Sequence, residues 1–304
     1  MERACYMGGV QAIAWYREFA PCEALRPHVR ALFSFGPDPA PPQRLLQREV
    51  GFSDLTSCSP QFADGHASIL FELGRTCTLD GRWHTDATAC GGTVTGPKTA
   101  VGRIAAGDLP EMLGILFRPS ASAASLLGVS LPALTDRTIG IDDAWRGEGN
   151  GLAGELADLD EAGRIGRIEA LLLNRLERRR ARTSTVDVER LAAWVLQQRG
   201  RTTVEGMARA GGVSRQHLTR EFRDRLGITP KLYCRLARFQ SGLAYAGGRR
   251  VDWAQAAAGM GYSDQSHMIA EFRRFGGLTP HELASQDWFH PFIVRAVDGT
   301  RAVD

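Results

Sequence analysis

Val213-Ser214-Arg215-Gln216-His217-Leu218, continued by Glu221-Phe222-Arg223 and Gly227-Ile228-Thr229-Pro230, decides the reading of this chain because it is written twice. The second copy runs Tyr262-Ser263-Asp264-Gln265-Ser266-His267-Met268, then Glu271-Phe272-Arg273, then Gly277-Leu278-Thr279-Pro280. It carries one extra residue after Ser263, and every later landmark stays in step. An alanine-rich stretch and a glycine precede each copy, Met207-Ala208 to Gly212 and Ala256-Ala257 to Gly261. Helix, tight turn and second helix, twice over, predict two helix-turn-helix units in one chain.

Working outward, the C-terminal part reads as wholly helical. Ser184-Thr185-Val186-Asp187 has the spacing of a capping box and predicts a helix through Gln198, closed by Gly200. Thr202-Thr203-Val204-Glu205 is a second such box, opening the first unit, and Ser214 is placed to cap the next helix. In that helix Leu218, Phe222 and Leu226 recur at core spacing, which leaves Arg215, Gln216, Thr219, Arg220 and Arg223 outward. Pro230 starts a connecting helix from Lys231 to Ala246 that ends at Gly247-Gly248. The second unit begins at Val251; its second helix buries Met268, Phe272 and Phe275 and exposes Gln265, Ser266, Ile269, Arg273 and Arg274. Trp288-Phe289-His290-Pro291 opens an irregular tail.

Residues 1–182 read differently. Val29 to Phe35, Ala67 to Leu73 and Met112 to Phe117 are strand-like runs ended by Gly36-Pro37, Gly74 and Pro119. They predict a β-rich barrel or sandwich to about Trp145, followed by helices. Ile165, Ile168, Leu172 and Leu176 form a helical stripe ahead of Glu177-Arg178-Arg179-Arg180; it suits either intramolecular core or a dimerisation helix. The fold class expected is therefore α+β and multidomain: 1–182 for effector binding or dimerisation, 183–287 for two helix-turn-helix units (about 203–226 and 251–275) joined by a linker helix, and 288–304 as tail.

Composition narrows the function. The chain has 304 residues, 43% hydrophobic and 23% charged, enough for two cores. No apolar run approaches a membrane span, and no secretory signal opens the sequence, so the cytoplasm is expected. The net charge of +3 is uneven: residues 183–304 hold 17 basic and 12 acidic side chains, residues 1–182 hold 20 and 22. The positive excess lies with the repeat, as phosphate contact requires, although a solvated surface produces the same balance. Six scattered cysteines, Cys5, Cys22, Cys58, Cys77, Cys90 and Cys234, include no C-x-x-C pair, which argues against a zinc knuckle or a disulfide framework. No metal and no cofactor are expected.

The repeated phrase resembles the two-helix-turn-helix domain of the AraC/XylS family of bacterial transcription regulators, over about residues 186–285. Gly261 to Arg274 with Gly277-Leu278-Thr279-Pro280 carries the most specific part of that resemblance. It implies base contacts from Gln216, Thr219 and Arg220 in the first recognition helix, and from Gln265, Ser266, Ile269 and Ala270 in the second. Two departures stand out: Ala270 occupies a place where arginine is common, and Ala256 one where a larger aliphatic is usual. The DNA-facing set expected is Ser214, Arg215, Gln216, Thr219, Arg220, Arg223, Ser263, Gln265, Ser266, Ile269, Arg273 and Arg274.

In the N-terminal part, Asp64-Gly65-His66-Ala67-Ser68-Ile69-Leu70-Phe71, Gly96-Pro97-Lys98-Thr99 and Phe117-Arg118-Pro119 resemble a cupin-like sensor domain fused to some members of that family. A metal-binding cupin would show a His-x-His pair; His66 and His84 lie apart and read as structural. Phe71, Trp83 and Arg118, an aromatic wall plus one arginine, are the candidate effector pocket, with a structural salt bridge of Arg118 as the plainer alternative. The partners implied are double-stranded promoter DNA, a small-molecule effector, RNA polymerase and a second copy of the chain. The chain is read as a regulator and not an enzyme. The competing classes are a DNA-alkylation repair protein, which needs clustered thiolates that Cys22, Cys58, Cys77 and Cys90 do not pattern, and a regulator whose N-terminal domain only dimerises.

Overall fold

The computed structural model describes residues 3–6, 13–37, 58–77, 83–85, 91–105, 109–120, 122–178, 185–246 and 253–284. The N-terminal half is built on one antiparallel sheet. Its strands are β1 (Arg3–Tyr6), β2 (Ile13–Phe19), β3 (Val29–Pro37), β5 (Ser68–Cys77), β6 (Trp83–Thr85), β7 (Gly91–Thr95), β9 (Leu109–Phe117) and β10 (Thr138–Gly140). They run in the order β1-β2-β3-β9-β5-β7-β10, with β6 against β5; β4 (Cys58–Gln61) and β8 (Gly102–Ala105) pair separately. The expected barrel or sandwich thus takes the form of an open ladder plus a two-stranded ribbon among the described residues.

The continuous apolar run of β9 is explained by its place. It pairs with β3 on one side and β5 on the other, and Leu113, Ile115 and Phe117 are fully buried. Gly74 does not end its strand, as the sequence suggested. It takes a φ of +70°, and the register of β5 against β9 shifts between Glu72 and Thr76, so the glycine sits in a bulge and the strand continues to Cys77.

Five helices follow or interleave: α1 (Ala123–Leu127), α2 (Leu131–Leu134), α3 (Ile141–Trp145), α4 (Leu152–Ala157) and α5 (Glu161–Glu177). The stripe on α5 is spent on the chain's own core: Ile168 and Leu172 are buried, and Ile165 and Leu176 pack against the same cluster. The largely buried pair Arg164–Glu111, 2.6 Å apart, ties α5 to β9, and Arg175 lies over the Trp145 ring at 4.4 Å. Arg179 and Arg180 lie outside the described residues.

The C-terminal half is helical throughout: α6 (Val188–Gln197), α7 (Val204–Ala210), α8 (Arg215–Leu226), α9 (Pro230–Ala246), α10 (Trp253–Gly259), α11 (Gln265–Gly276) and α12 (Pro280–Ala284). Two caps differ from the sequence reading by a residue or more. Asp187, not Ser184, caps α6 by accepting from the Arg190 amide at 2.9 Å; Ser184 lies outside the described residues. Thr203, not Thr202, caps α7 by accepting from the Gly206 amide at 3.0 Å. In both cases the accepting side chain stands three residues before its donor, the reach an N-cap oxygen needs. The Gly247-Gly248 stop, the start at Val251 and the tail fall outside the described residues.

The two halves share material. Ala63 is buried in the C-terminal core, and Phe62 packs edge-on to Phe239 of α9 at 6.1 Å. Asp64 and His66, next in the chain, are titratable groups shifted from their ordinary range by burial. Burial pushes Asp64 up to about 6; burial, with Arg30 nearby, pushes His66 down to about 3. The His66 contribution is therefore present above about 6.5 and lost as pH falls towards 3, whereas that of Asp64 is present below about 3.8 and lost as pH rises through 6. Replacing His66→Asn should leave the stability difference from wild type constant above pH ~6.5 and shift it steadily in the variant's favour on acidification. Urea midpoints measured across that range check it; parallel curves would contradict the assignment.

Candidate nucleic-acid interface

The first reading unit is assembled from α7, a glycine turn and α8. The Ser214 hydroxyl accepts from the His217 amide at 3.2 Å and opens α8. Gly227, with a φ of +75°, closes it as its amide returns to the Arg223 carbonyl. Leu218, Phe222 and Leu226 are buried at the expected four-residue interval. The interval turns Arg215, Gln216, Arg220 and Arg223 to solvent, with Thr219 half-buried between them, and these five with Val204 and Asp224 line one groove.

Two of the arginines are already oriented. Arg215 meets Glu205 of α7 at 2.7 Å, and an Arg220 Nη nitrogen lies 2.8 Å from His217 Nδ1. Arg220 has only hydrogens to give, so His217 accepts at Nδ1, and its Nε2 lies 3.2 Å from the Thr185 hydroxyl. The Arg215–Glu205 pair is open to water on both sides and contributes little to stability; it sets direction.

The second unit repeats the plan with a different cap. Asp264 caps α11, accepting from the His267 amide at 2.7 Å. That bond, with one from Ser263, holds the Asp264 carboxyl below the usual range. The extra residue of the second copy thus lies in the turn, and Asp264 stands where Ser214 stands in the first. Ser263 is exposed just outside the helix, its hydroxyl engaged with Asp264 and with His267 Nδ1, both at 3.0 Å. Gln265, Ser266, Ala270, Arg273 and Arg274 are exposed and Ile269 is half-buried, while Met268, Phe272 and Phe275 are fully buried.

The two faces differ in charge. That of α8 offers three exposed arginines; α11 presents neutral side chains along its first two turns and arginine only at Arg273 and Arg274. One residue the sequence reading passed over explains how α11 is held. Glu271, 3% exposed, meets Arg235 of α9 at 2.6 Å, with His267 at 3.8 Å. Its counterpart Glu221 instead pairs within its own helix, with Arg225 at 3.1 Å. The repeated Glu-Phe-Arg phrase hides this difference, because the partner Arg235 lies on another helix.

Two of the three effector-pocket candidates have described side chains, and these lie in different surroundings. Phe71 is fully buried in the sheet core, and Arg118 is exposed beyond the end of β9 with its Nε donating to the Arg26 carbonyl at 2.8 Å. Trp83, on β6, pairs with Cys77 of β5, and its side chain lies outside the described residues. An aromatic wall was inferred from residue type, but strand alternation turns Phe71 inward and places Leu113 opposite it, several residues before Arg118. Among the described residues no group of three His, Cys, Asp or Glu is placed to hold a metal ion, and Cys90 lies outside them. Cys234 is buried, and burial pushes its thiol up to about 11, away from nucleophilic chemistry. No helix among the described residues is long and apolar enough to cross a membrane.

Comparison with known proteins bears on the C-terminal half. Residues 207–286 match the family model of a helix-turn-helix domain. No curated protein matches the chain. Among solved structures, ToxT from Vibrio cholerae O395 is 11% identical over 78% of this chain and 93% of its own, with a TM-score of 0.39. A 1.65 Å structure of ToxT is 10% identical over 75% and 92%, at 0.42. Wild-type ToxT from strain SCE256 with unsaturated fatty acid bound is 13% identical over 75% and 89%, at 0.39. At these identities and scores the likeness carries no weight for function.

The caps give a direct check of this geometry. Ser214→Ala should cost about 1 kcal/mol in denaturant unfolding. Ser263→Ala, outside the cap, should cost clearly less; equal losses would contradict the Asp264 cap.

Proposed function

We propose that this protein, whose residues 207–286 match a helix-turn-helix family model, is a sequence-specific, DNA-binding transcription regulator of the AraC type under small-molecule control, acting in the cytoplasm. The observation that carries the reading is the pairing of two capped helices, α8 and α11, each buried by one face and open on the other. An α-helix fits the major groove, where each base pair shows its own pattern of donors, acceptors and methyl groups. Arg215 and Arg220 suit guanine or phosphate, Gln216 and Gln265 suit adenine, and the half-exposed Ile269 suits a thymine methyl. Arg223, Arg273 and Arg274, toward the helix ends, suit phosphate.

The first helix brings three arginines, one of them held by Glu205 and another beside Asp224, and the second two at its end, so both supply electrostatic grip. Because the two helices differ in every base-facing residue, one chain reads an asymmetric site. The N-terminal sheet domain carries the regulatory part, and RNA polymerase and a second copy of the chain are its further partners on the promoter.

Selection from random-sequence DNA, followed by anisotropy titrations across a salt series, tests the reading. One enriched motif with two blocks about ten base pairs apart is expected. Arg220→Ala should weaken binding to it by about 1–3 kcal/mol and relax preference within one block only. Arg273→Ala should weaken binding evenly across sequences and lower the salt slope by about one. Binding without any enriched motif would overturn the proposal.

A further inference from the structure

The last carbonyls of an α-helix have no partner within the helix and must find one outside it. In this chain two such carbonyls of α11, and the carbonyl of Gly227 just beyond α8, are met by the N-terminal half. At the end of α8 the Thr135 hydroxyl, just after α2, lies 2.9 Å from the Gly227 carbonyl, sharing its proton with the Leu131 carbonyl. The approach is close enough that a Cβ on Gly227 would lie 2.6 Å from that hydroxyl. At the end of α11 the Ala63 amide donates to the Phe275 carbonyl at 2.9 Å and the Val101 amide to the Arg274 carbonyl at 3.2 Å.

Between these anchors the same half grips the connecting helix. Gln240 of α9 donates to the Asp64 carbonyl at 2.6 Å, and Phe62 meets the Phe239 ring. All of these contacts use helix ends, backbone atoms or the inner side of α9. The outward residues of α8 and α11 remain exposed. The docking is therefore compatible with both helices lying in DNA, and it fixes where one stands relative to the other.

We propose that the N-terminal domain sets the separation and relative rotation of the two reading helices, and so specifies the spacing between the two blocks of the DNA site; this rests on the regulator reading above. Thr135, Ala63 and Val101 are on this account positioning residues. They touch no base, and they act through the carbonyl ends of the helices that do. A change in the N-terminal domain that moves α2 against the 62–65 and 98–101 segments changes which spacing the protein accepts, with the base preferences of each helix untouched.

The test separates spacing from base reading. From the selected site, duplexes are made with the blocks moved one or two base pairs closer or farther apart. Each is titrated with the full-length wild type, Thr135→Val and Ala63→Pro. Wild type should lose about tenfold or more in affinity per base pair of displacement. Each variant should lose about threefold or less, with wild-type preference for the bases inside each block. Thr135→Val keeps the side-chain shape and removes only the donor, so it decides the matter if Ala63→Pro fails to fold. Spacing profiles identical to wild type in a folded Thr135→Val would overturn the inference and leave the regulator standing. Failure to select any site would sink the regulator reading and this inference with it.

Discussion

Phe239 is the interaction on which most of this architecture depends. It is fully buried on the connecting helix, edge-on to Phe272 at 5.1 Å, tilted against Phe275 at 5.6 Å and edge-on to Phe62 at 6.1 Å. Three segments that need each other therefore meet on one ring: the helix linking the two units, the second reading helix, and the N-terminal strand segment entering the C-terminal core. Aromatic clusters of this kind combine large apolar burial with a preference for edge-to-face geometry, so they fix angle as well as distance. The first reading helix joins the same connecting helix through Phe222, edge-on to Tyr233 at 6.0 Å.

Around this point the two units solve one problem with different chemistry. A hydroxyl caps the first reading helix and a carboxylate the second. In the first unit the repeated glutamate pairs with Arg225 of its own helix; in the second it is buried against Arg235. A buried carboxylate must keep its partner, because removing one member leaves an uncompensated charge in the core. The second helix is thus fastened by charge as well as by packing, on the side away from its exposed face.

Much of this was legible in the sequence. Leu218, Phe222 and Leu226 announce a helix face by spacing alone, Gly227 and Gly277 mark its end because both take a positive φ, and the outward arginines follow by elimination. The β9 strand was legible from its unbroken apolar run. What escaped reading was non-local. Whether Thr202 or Thr203 caps a helix depends on where the first turn closes, and two adjacent threonines offer the same chemistry. The cap of the second helix was not read at all: the residue added after Ser263 puts Asp264 where Ser214 stands in the first copy. Phe71 looked like a ligand wall because its side-chain type suits one; only the strand pairing shows that its ring is spent in the core. The partnership of Ala63 with Phe275 had no local signal, since it joins backbone atoms far apart in the chain.

The strict interleaving of buried and exposed positions along α8 has a consequence for how such a protein changes over generations. The residues that hold the helix, Leu218, Phe222, Leu226 and the Ser214 cap, alternate with Gln216 and Arg220 and share no atoms with their outward ends. Exchanging an exposed side chain on a helix generally moves stability by no more than about 0.5 kcal/mol. The recognised sequence can therefore drift one base at a time, through soluble and folded intermediates, while the scaffold that presents it stays the same.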